Sequence, residues 1–223
     1  FSVNTLSLSQ LPLFPLQTVL FPGGWLPLRV FEVRYLDMVR RCHKVGAPFG
    51  VVCLKQGSEV ATAPRPGTAP APTAFADLAH SVGTLAMIDT LTQPQPGLLH
   101  IHCKGTQRFQ VKEARLLKHG LWVADVEMLP ADLPAPVPDE LADTVSSLQK
   151  LLAALQTQTS QTQNLPIQPP LAWNDAGWVA NRWCDVLPVS ADLKQRLMSL
   201  DNPLVRLELV SDVLEKLRLD SGR

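Results

Sequence analysis

The stretch LFPLQTVLFPGGWLPLRVFEVRY, residues 13–35, decides how the chain is read. Apolar runs suited to a core are interrupted by Pro15, Pro22 and Pro27. Pro22-Gly23-Gly24 is a turn signal, because proline presets the first turn residue and glycine tolerates the positive φ that follows. Residues 13–20 and 25–31 therefore read as an opening pair of strands around a bend. Pro27 has no N–H for a ladder, which places the second strand at a sheet edge or a bulge. Over 33–44 the period changes: Tyr35, Leu36, Val39 and Cys42 fall on one side at helical spacing, with Arg34, Asp37, Arg41 and Lys44 spread elsewhere. A short amphipathic helix follows the strands.

Strand patterns return at 49–54, 81–91, 98–105, 108–117 and 121–129, separated by turns containing Gly and Pro. Short strands with one embedded helix predict a compact, mostly antiparallel β domain, a partly closed barrel. The Pro-rich stretch ATAPRPGTAPAPTAF (61–75) has no periodicity and reads as a surface loop. PADLPAPVP (130–138) reads as a linker. Beyond it Leu141, Val145, Leu148, Leu152 and Leu155 recur at helical spacing behind Asp139, a candidate cap. The Gln/Thr-rich 156–164 reads as a connection. Three more helices are predicted: one around Val179, Trp183, Val186 and Leu187, one after Ser190 as N-cap, and one begun by Asn202-Pro203. The expected organisation is a β-rich domain over 1–130 and a helical bundle over 131–223.

The totals narrow function. With 46% apolar residues among 223 the chain is globular, and 20 basic against 20 acidic side chains leave no net field toward nucleic acid or an anionic membrane. The halves differ mildly: residues 1–130 carry 12 Lys/Arg and 8 Asp/Glu (net +4), and 131–223 carry 8 and 12 (net −4). FSVNTLSLSQ at the start does not read as a secretory signal, and no apolar run approaches the ~18 residues of a spanning helix. Cys42, Cys53, Cys103 and Cys184 are widely spaced and form no CxxC, so the expected setting is reducing and cytoplasmic.

Motifs for chemistry are absent from the sequence: there is no GxxxxGK[ST], GxGxxG, HExxH or GxSxG. Cys42-His43 and His102-Cys103 are adjacent pairs, and neighbours on a helix or a strand diverge too far to act as a thiol–imidazole dyad. His100 and His102 share a strand face and are the best metal candidates, yet Leu99, Ile101 and Cys103 alternate with them, so they read as the solvent face of a half-buried strand. The run Arg40-Arg41-Cys42-His43-Lys44 complements a helix C-terminus and reads as a solvated face. Trp122 and Trp183 read as core, and Trp25, beside the turn, is open to either role. No catalytic residue, metal or cofactor is expected.

Residues 11–39 closely resemble the opening of the N-terminal substrate-binding domain of the ATP-dependent protease Lon, in particular the stand-alone bacterial proteins of that family. Gly83-Thr84-Leu85-Ala86 resembles its glycine-threonine strand and Gly105-Thr106-Gln107-Arg108-Phe109 its Gly-x-x-Arg-Phe motif. Leu193-Lys194-Gln195-Arg196-Leu197-Met198 and Arg206-Leu207-Glu208 are similar to its closing helices. The chain departs from relatives at Arg29 and Val33, where they often have His and Pro. The resemblance implies an α+β fold: a PUA-like, mostly antiparallel β pseudo-barrel with one embedded helix, followed by a C-terminal helical bundle. It implies recognition of unfolded or peptide segments of proteins, with a separate ATP-dependent protease as a candidate partner, no membrane, and RNA binding as the runner-up class. ATPase and Ser-Lys peptidase motifs are absent, so neither activity is carried over.

The expected binding site is a groove between the β domain and the helices. Trp25, Phe31, Glu32, Arg34, Tyr35, Arg108 and Phe109 are its candidates. For Glu32 and Arg34 a structural ion pair or cap contact is the stronger reading, and Phe31 and Tyr35 are expected to anchor the first helix against the barrel.

Overall fold

The opening apolar run forms β1 (Ser7–Leu16), and its partners lie far away in sequence: β3 (Phe49–Leu54) runs parallel to it and β6 (Trp122–Met128) antiparallel. β2 (Trp25–Val30) does not pair with β1. It lies antiparallel on β5 (Leu98–Leu116), with Trp25 opposite Lys104 and Val30 opposite Leu99. The expected opening strand pair is thereby corrected, and the physical reason lies in the turn. Gly23 N–H donates to Gly105 O and Gly105 N–H to Gly24 O, both at 2.8 Å. The Pro22-Gly23-Gly24 turn is held by docking onto β5 and not by a hairpin. A Cβ at position 105 would stand 2.3 Å from Phe21 O, so the close approach of two backbones requires glycine there.

The computed structural model describes residues 6–55, 74–158 and 166–221. The chain divides into two compact units, Phe1–Pro130 and Ala131–Arg223. In the first, β4 (Ala79–Gln95) completes a six-stranded, mostly antiparallel sheet of order β2-β5-β4-β3-β1-β6, and a further β5–β6 pairing closes it into a ring. β5 pairs with β2 over 99–104 and with β6 over 109–116, changing partner near Gly105. Pro27 accordingly sits on an edge strand. The expected strands 98–105 and 108–117 are one, carried through a register shift against β4 between Gly105 and Arg108.

Two apolar clusters fill this unit. In one, Phe109 is fully buried beside Leu13, Val52, Leu78 and Trp122. Its ring takes space left by two glycines: an added Cβ would meet Phe109 Cζ at 2.7 Å from Gly50 and at 2.5 Å from Gly83. Gly83 is also the direct cross-strand partner of Phe109. The other cluster lies under α1 (Val33–Val45), which buries Tyr35, Leu36, Met38, Val39 and Cys42 against Val30, Leu99 and Ile101. Gly46, at φ 64°, ends this helix in the left-handed conformation that glycine adopts without strain. Of the loop expected over 61–75, residues 61–73 lie outside the described residues. Phe75 instead begins a short helix, α2 (Phe75–Leu78), and packs edge-on against Trp122 at 5.4 Å between centroids.

The second unit is helical. Asp139 opens a 3-10 turn (Asp139–Leu141) behind Pro138 instead of capping, and α3 (Ala142–Gln158) follows. The expected Gln/Thr connection lies partly outside the described residues, and its first three residues extend α3. Residues 135–137 are not a free tether. Ala176 N–H donates to Ala135 O at 2.8 Å, and Pro136 bridges to Asp175. Asp175 caps α4 (Ala176–Val186) by accepting from Trp178 N at 2.7 Å, Ser190 caps α5 (Ala191–Met198), and Asn202 Oδ1 accepts from Leu204 N ahead of the long α6 (Pro203–Ser221). Trp183 Nε1 donates to Thr144 O at 2.9 Å and joins α4 to α3.

At the centre of this unit Arg206 is 1% exposed. Its guanidinium pairs with both oxygens of Asp132 and donates to Asn181 Oδ1 (3.0 Å) and Leu200 O, and its Nε reaches Leu197 O (3.0 Å). A buried charge so fully bonded carries no unpaired desolvation penalty, whereas stripping one partner from such a pair costs about 3–5 kcal/mol.

Two outcomes are expected. Gly83→Ala destabilises the β unit by roughly 2–3 kcal/mol in urea unfolding, because Val51 O at 2.5 Å cannot yield as a side chain can. Part of that loss is recovered when Phe109→Leu is added, since the two sites are in contact. The second outcome concerns Asp185, bonded to Arg182 Nε at 2.7 Å. Burial pushes its carboxyl up from 3.8 to about 6, against the pull of Arg182 and Lys194. The native state therefore holds this proton more tightly than the unfolded chain does. The stability this gives is fully present below the ordinary carboxylate value and is lost as pH rises through about 6. Asp185→Asn removes that slope, so between pH 4 and pH 7 the variant loses less stability than the parent when both are unfolded in urea.

Candidate functional site

The ring of strands closes through β6 over only part of β5, and β1 and β2 are not bonded to each other. That unsealed seam is a cleft of 590 Å³ within the β unit. One wall is the end of β1 and the residue after it, Phe14 to Gln17; the other is Leu28, Arg29 and Val30 of β2. Phe31, Glu32 and Tyr35, where β2 passes into α1, complete it together with Leu54. The walls are mainly apolar, with a few polar groups at the mouth, the usual composition of a binding cleft.

The seven candidate residues separate into three groups. Phe31, Glu32 and Tyr35 line the cleft. Phe31 is 69% exposed and its neighbour Val33 is 73% exposed, so the expectation that Phe31 anchors the helix is corrected: it follows the last residue of β2 and projects to solvent. Tyr35 does anchor α1. It is 2% exposed and stacks on Phe14 with centroids 4.0 Å apart and planes 10° from parallel. Arg34, beside them, is committed within the protein: Nε donates to Glu32 Oε2 at 2.9 Å, Nη1 to Gly120 O at 2.8 Å, and the guanidinium lies 4.8 Å from the Tyr35 ring centre. This clasp ties the start of α1 to the β5–β6 turn.

Arg108 and Phe109 lie elsewhere. Phe109 is closed off inside the barrel, and Arg108 is buried with Nη2 donating to Pro130 O at 3.4 Å while its carbonyl accepts from Leu129 N. Trp25 is half-buried on the outer face of β2, where Lys104 Nζ stands 5.9 Å from its ring centre. Sequence reasoning missed Phe14, Pro15, Leu16 and Leu28, whose apolar character signals core and not a cleft wall. Among the described residues no three His, Cys, Asp or Glu side chains cluster as metal ligands. His100 and His102 alternate with buried Leu99, Ile101 and Cys103. Burial pushes the Cys103 and Cys184 thiols up to about 12 and raises that of Cys42, which leaves all three poor nucleophiles.

A mixed barrel with a helix laid over one core, and a helical unit later in the chain, define an α+β architecture. The model of the ATP-dependent protease La (LON) substrate-binding domain matches residues 10–216, and the chain belongs to that family. Among solved structures it is similar to the Lon N-terminal domain protein from Xanthomonas campestris, at 29% identity and TM-score 0.69, covering 92% of this chain and 98% of that one. The N-terminal domain of the Mycobacterium avium complex Lon protease shares the fold at 17% identity and TM-score 0.54, covering 93% and 97%. No curated protein matches the chain. No helix among the described residues is long and apolar enough to cross a membrane.

Tyr35 carries one unusual feature. Its hydroxyl is buried and has no hydrogen-bond partner among the described residues, and burial pushes the phenol up to about 12, with Arg34 lowering it and Glu32 adding to the rise. A buried unpaired hydroxyl costs about 1–3 kcal/mol. Tyr35→Phe is therefore expected to match or exceed the parent in thermal stability, by up to ~1 kcal/mol. A clear loss of stability would show that the hydroxyl is bonded in solution.

Proposed function

We propose that the chain is a non-catalytic module that holds an extended, apolar segment of another polypeptide in the seam between β1 and β2. The observation that carries this reading is Phe31, a large aromatic left 69% exposed at the mouth of an apolar cleft. Backbone geometry supports it. The outer edge of β2 has no strand partner, and an extended peptide can satisfy such an edge while its alternate side chains enter the cleft. Family membership supports the same class of ligand, since the matching family is described as a substrate-binding domain. In this reading the module serves as an adaptor, presenting exposed segments of proteins to a separate ATP-dependent protease.

The test is a fluorescence anisotropy titration of the purified chain with a labelled, unstructured peptide rich in Leu and Phe. Phe31→Ala should weaken binding roughly tenfold, the effect of removing one exposed aromatic anchor. Its unfolding midpoint should stay unchanged, because the side chain is mostly in solvent. Equal affinity of parent and variant, or no binding by the parent, would remove the seam from consideration.

A further inference from the structure

The edge of β2 that borders the seam carries a defined pattern of backbone groups. Gly105 N–H donates to Gly24 O, and the ladder beyond sets Trp25 opposite Lys104, so Gly24 and Gly105 are directly opposed and bonded. In an antiparallel ladder bonded and non-bonded pairs alternate. Leu26, Leu28 and Val30 therefore turn their N–H and C=O toward β5, while those of Trp25, Pro27 and Arg29 point the other way. On that side β2 has no strand partner among the described residues. The edge offers donors at Trp25 and Arg29 and acceptors at Trp25, Pro27 and Arg29, since proline has no N–H.

The side chains of β2 follow the opposite phase. Val30 is buried and Leu26 and Leu28 pack against the same cluster, whereas Pro27 and Arg29 are exposed on the outer face. Residues of an added antiparallel strand share the face of the β2 residue they oppose. Those opposite Trp25, Pro27 and Arg29 give their N–H to β2 and hold their side chains toward solvent. Those opposite Leu28 and Val30, which line the cleft, send side chains toward its apolar floor and turn their N–H away from β2. Apolar contact and N–H donation thus fall on alternate residues of the ligand. In a parallel strand the two demands would fall on the same residues, and parallel pairing is the weaker ladder per residue.

We infer that the seam takes a segment that lies antiparallel on β2, in which apolar residues alternate with residues that keep a free N–H. Proline is accepted at the apolar positions and refused at the others. The inference rests on the peptide-binding reading of the seam and fixes the class of segment admitted. A polypeptide backbone supplies what the edge asks for, because its N–H and C=O groups repeat on one side at about 6.6–6.8 Å, the spacing of the outward groups of β2. A second copy of the chain is a poor occupant. A twofold β2–β2 pairing centred on Pro27 sets two residues without donors opposite each other, leaving their carbonyls unmatched.

The experiment titrates the full chain with a labelled peptide in which Thr alternates with Leu around one central Phe, followed by anisotropy. N-methylation of a Thr beside the Phe should weaken binding roughly tenfold, because it removes a bond to β2 and leaves a carbonyl unmet. N-methylation of the Phe itself should change affinity by no more than about twofold, and Leu→Pro in the peptide should be tolerated better than Thr→Pro. On the protein, Arg29→Pro removes an edge donor without removing a bond to β5, so it should bind several-fold more weakly than Arg29→Ala, with urea unfolding reporting any loss of fold. The peptide series needs no protein variant and stands if Arg29→Pro does not fold. The inference is overturned if methylation at Thr and Phe weakens binding equally, if neither has an effect, or if Phe is the sensitive position, as in a parallel strand. A flat methylation series together with weaker binding by Phe31→Ala would remove the pairing on β2 and keep the seam. Alternation that persists with Phe31→Ala unchanged would keep the strand on β2 and remove the seam, and no binding by the parent peptide removes both.

Discussion

Everything in the β unit depends on the ring of Phe109 seated over Gly83 and Gly50. Two strands present bare backbone there, and the aromatic ring of a third fills the space, so the barrel interior is packed without any of the three strands moving apart. Met128 lies opposite Phe109 on the other side, which fixes where β6 joins β5. Once that register is set, β6 covers only the second half of β5. The first half, beyond Gly105, is open for β2. The cleft follows from this division: β2 and β6 take different segments of β5, β1 pairs only with β3 and β6, and the space between β1 and β2 is not closed by strand pairing.

This explains which parts of the fold could be read from the residues. α1 was legible because its stripe, Tyr35 to Cys42, reports burial directly through the 3.6-residue period. The caps at Ser190 and Asn202 were legible for a similar reason: the bonding groups are three residues or fewer from what they bond. Gly105 was read as a break because a local rule treats glycine in a strand as punctuation. Its actual partner is the backbone of residues 21–24, about eighty positions earlier, and no local pattern carries that. The same holds for the clasp of Arg34 on Gly120. Motif resemblance picked out Arg108 and Phe109 as family features without saying that one ties down the end of the β unit and the other fills its core. Of the cleft, Tyr35, Phe31 and Glu32 came from a quoted motif, while the apolar wall of β1 looked like any other core strand.

At the centre of the helical unit charge is buried and fully partnered. Arg182 and Arg206 are buried in the helical unit and tied to Asp185 and Asp132, an arrangement in which each ion is held by partners of fixed geometry. Such pairs add little net stability over an apolar filling of the same volume. Their effect is orientation: Arg206 alone reaches carbonyls at the end of α5, an amide on α4 and the carboxylate of the segment before the first helix. A helical unit with modest apolar stripes gains from one side chain that can be satisfied in only one arrangement.

The prolines of the opening stretch now have a physical account. Pro15 lies in the part of β1 that pairs only with β3, and Pro27 lies in β2 on the sheet's terminal strand. Each removes a backbone donor from the strands that border the seam. A seam with two apolar walls and a full set of unpaired donors would pair readily with any strand, including one from another copy of the chain. Under the proposed peptide-binding reading, the donors that remain on β2 still offer an edge to an extended segment, and Phe31 with the apolar floor beneath it would supply the side-chain contacts. The same residues that make the opening run look ill-suited to a core thus allow an apolar cleft to stay open at the surface.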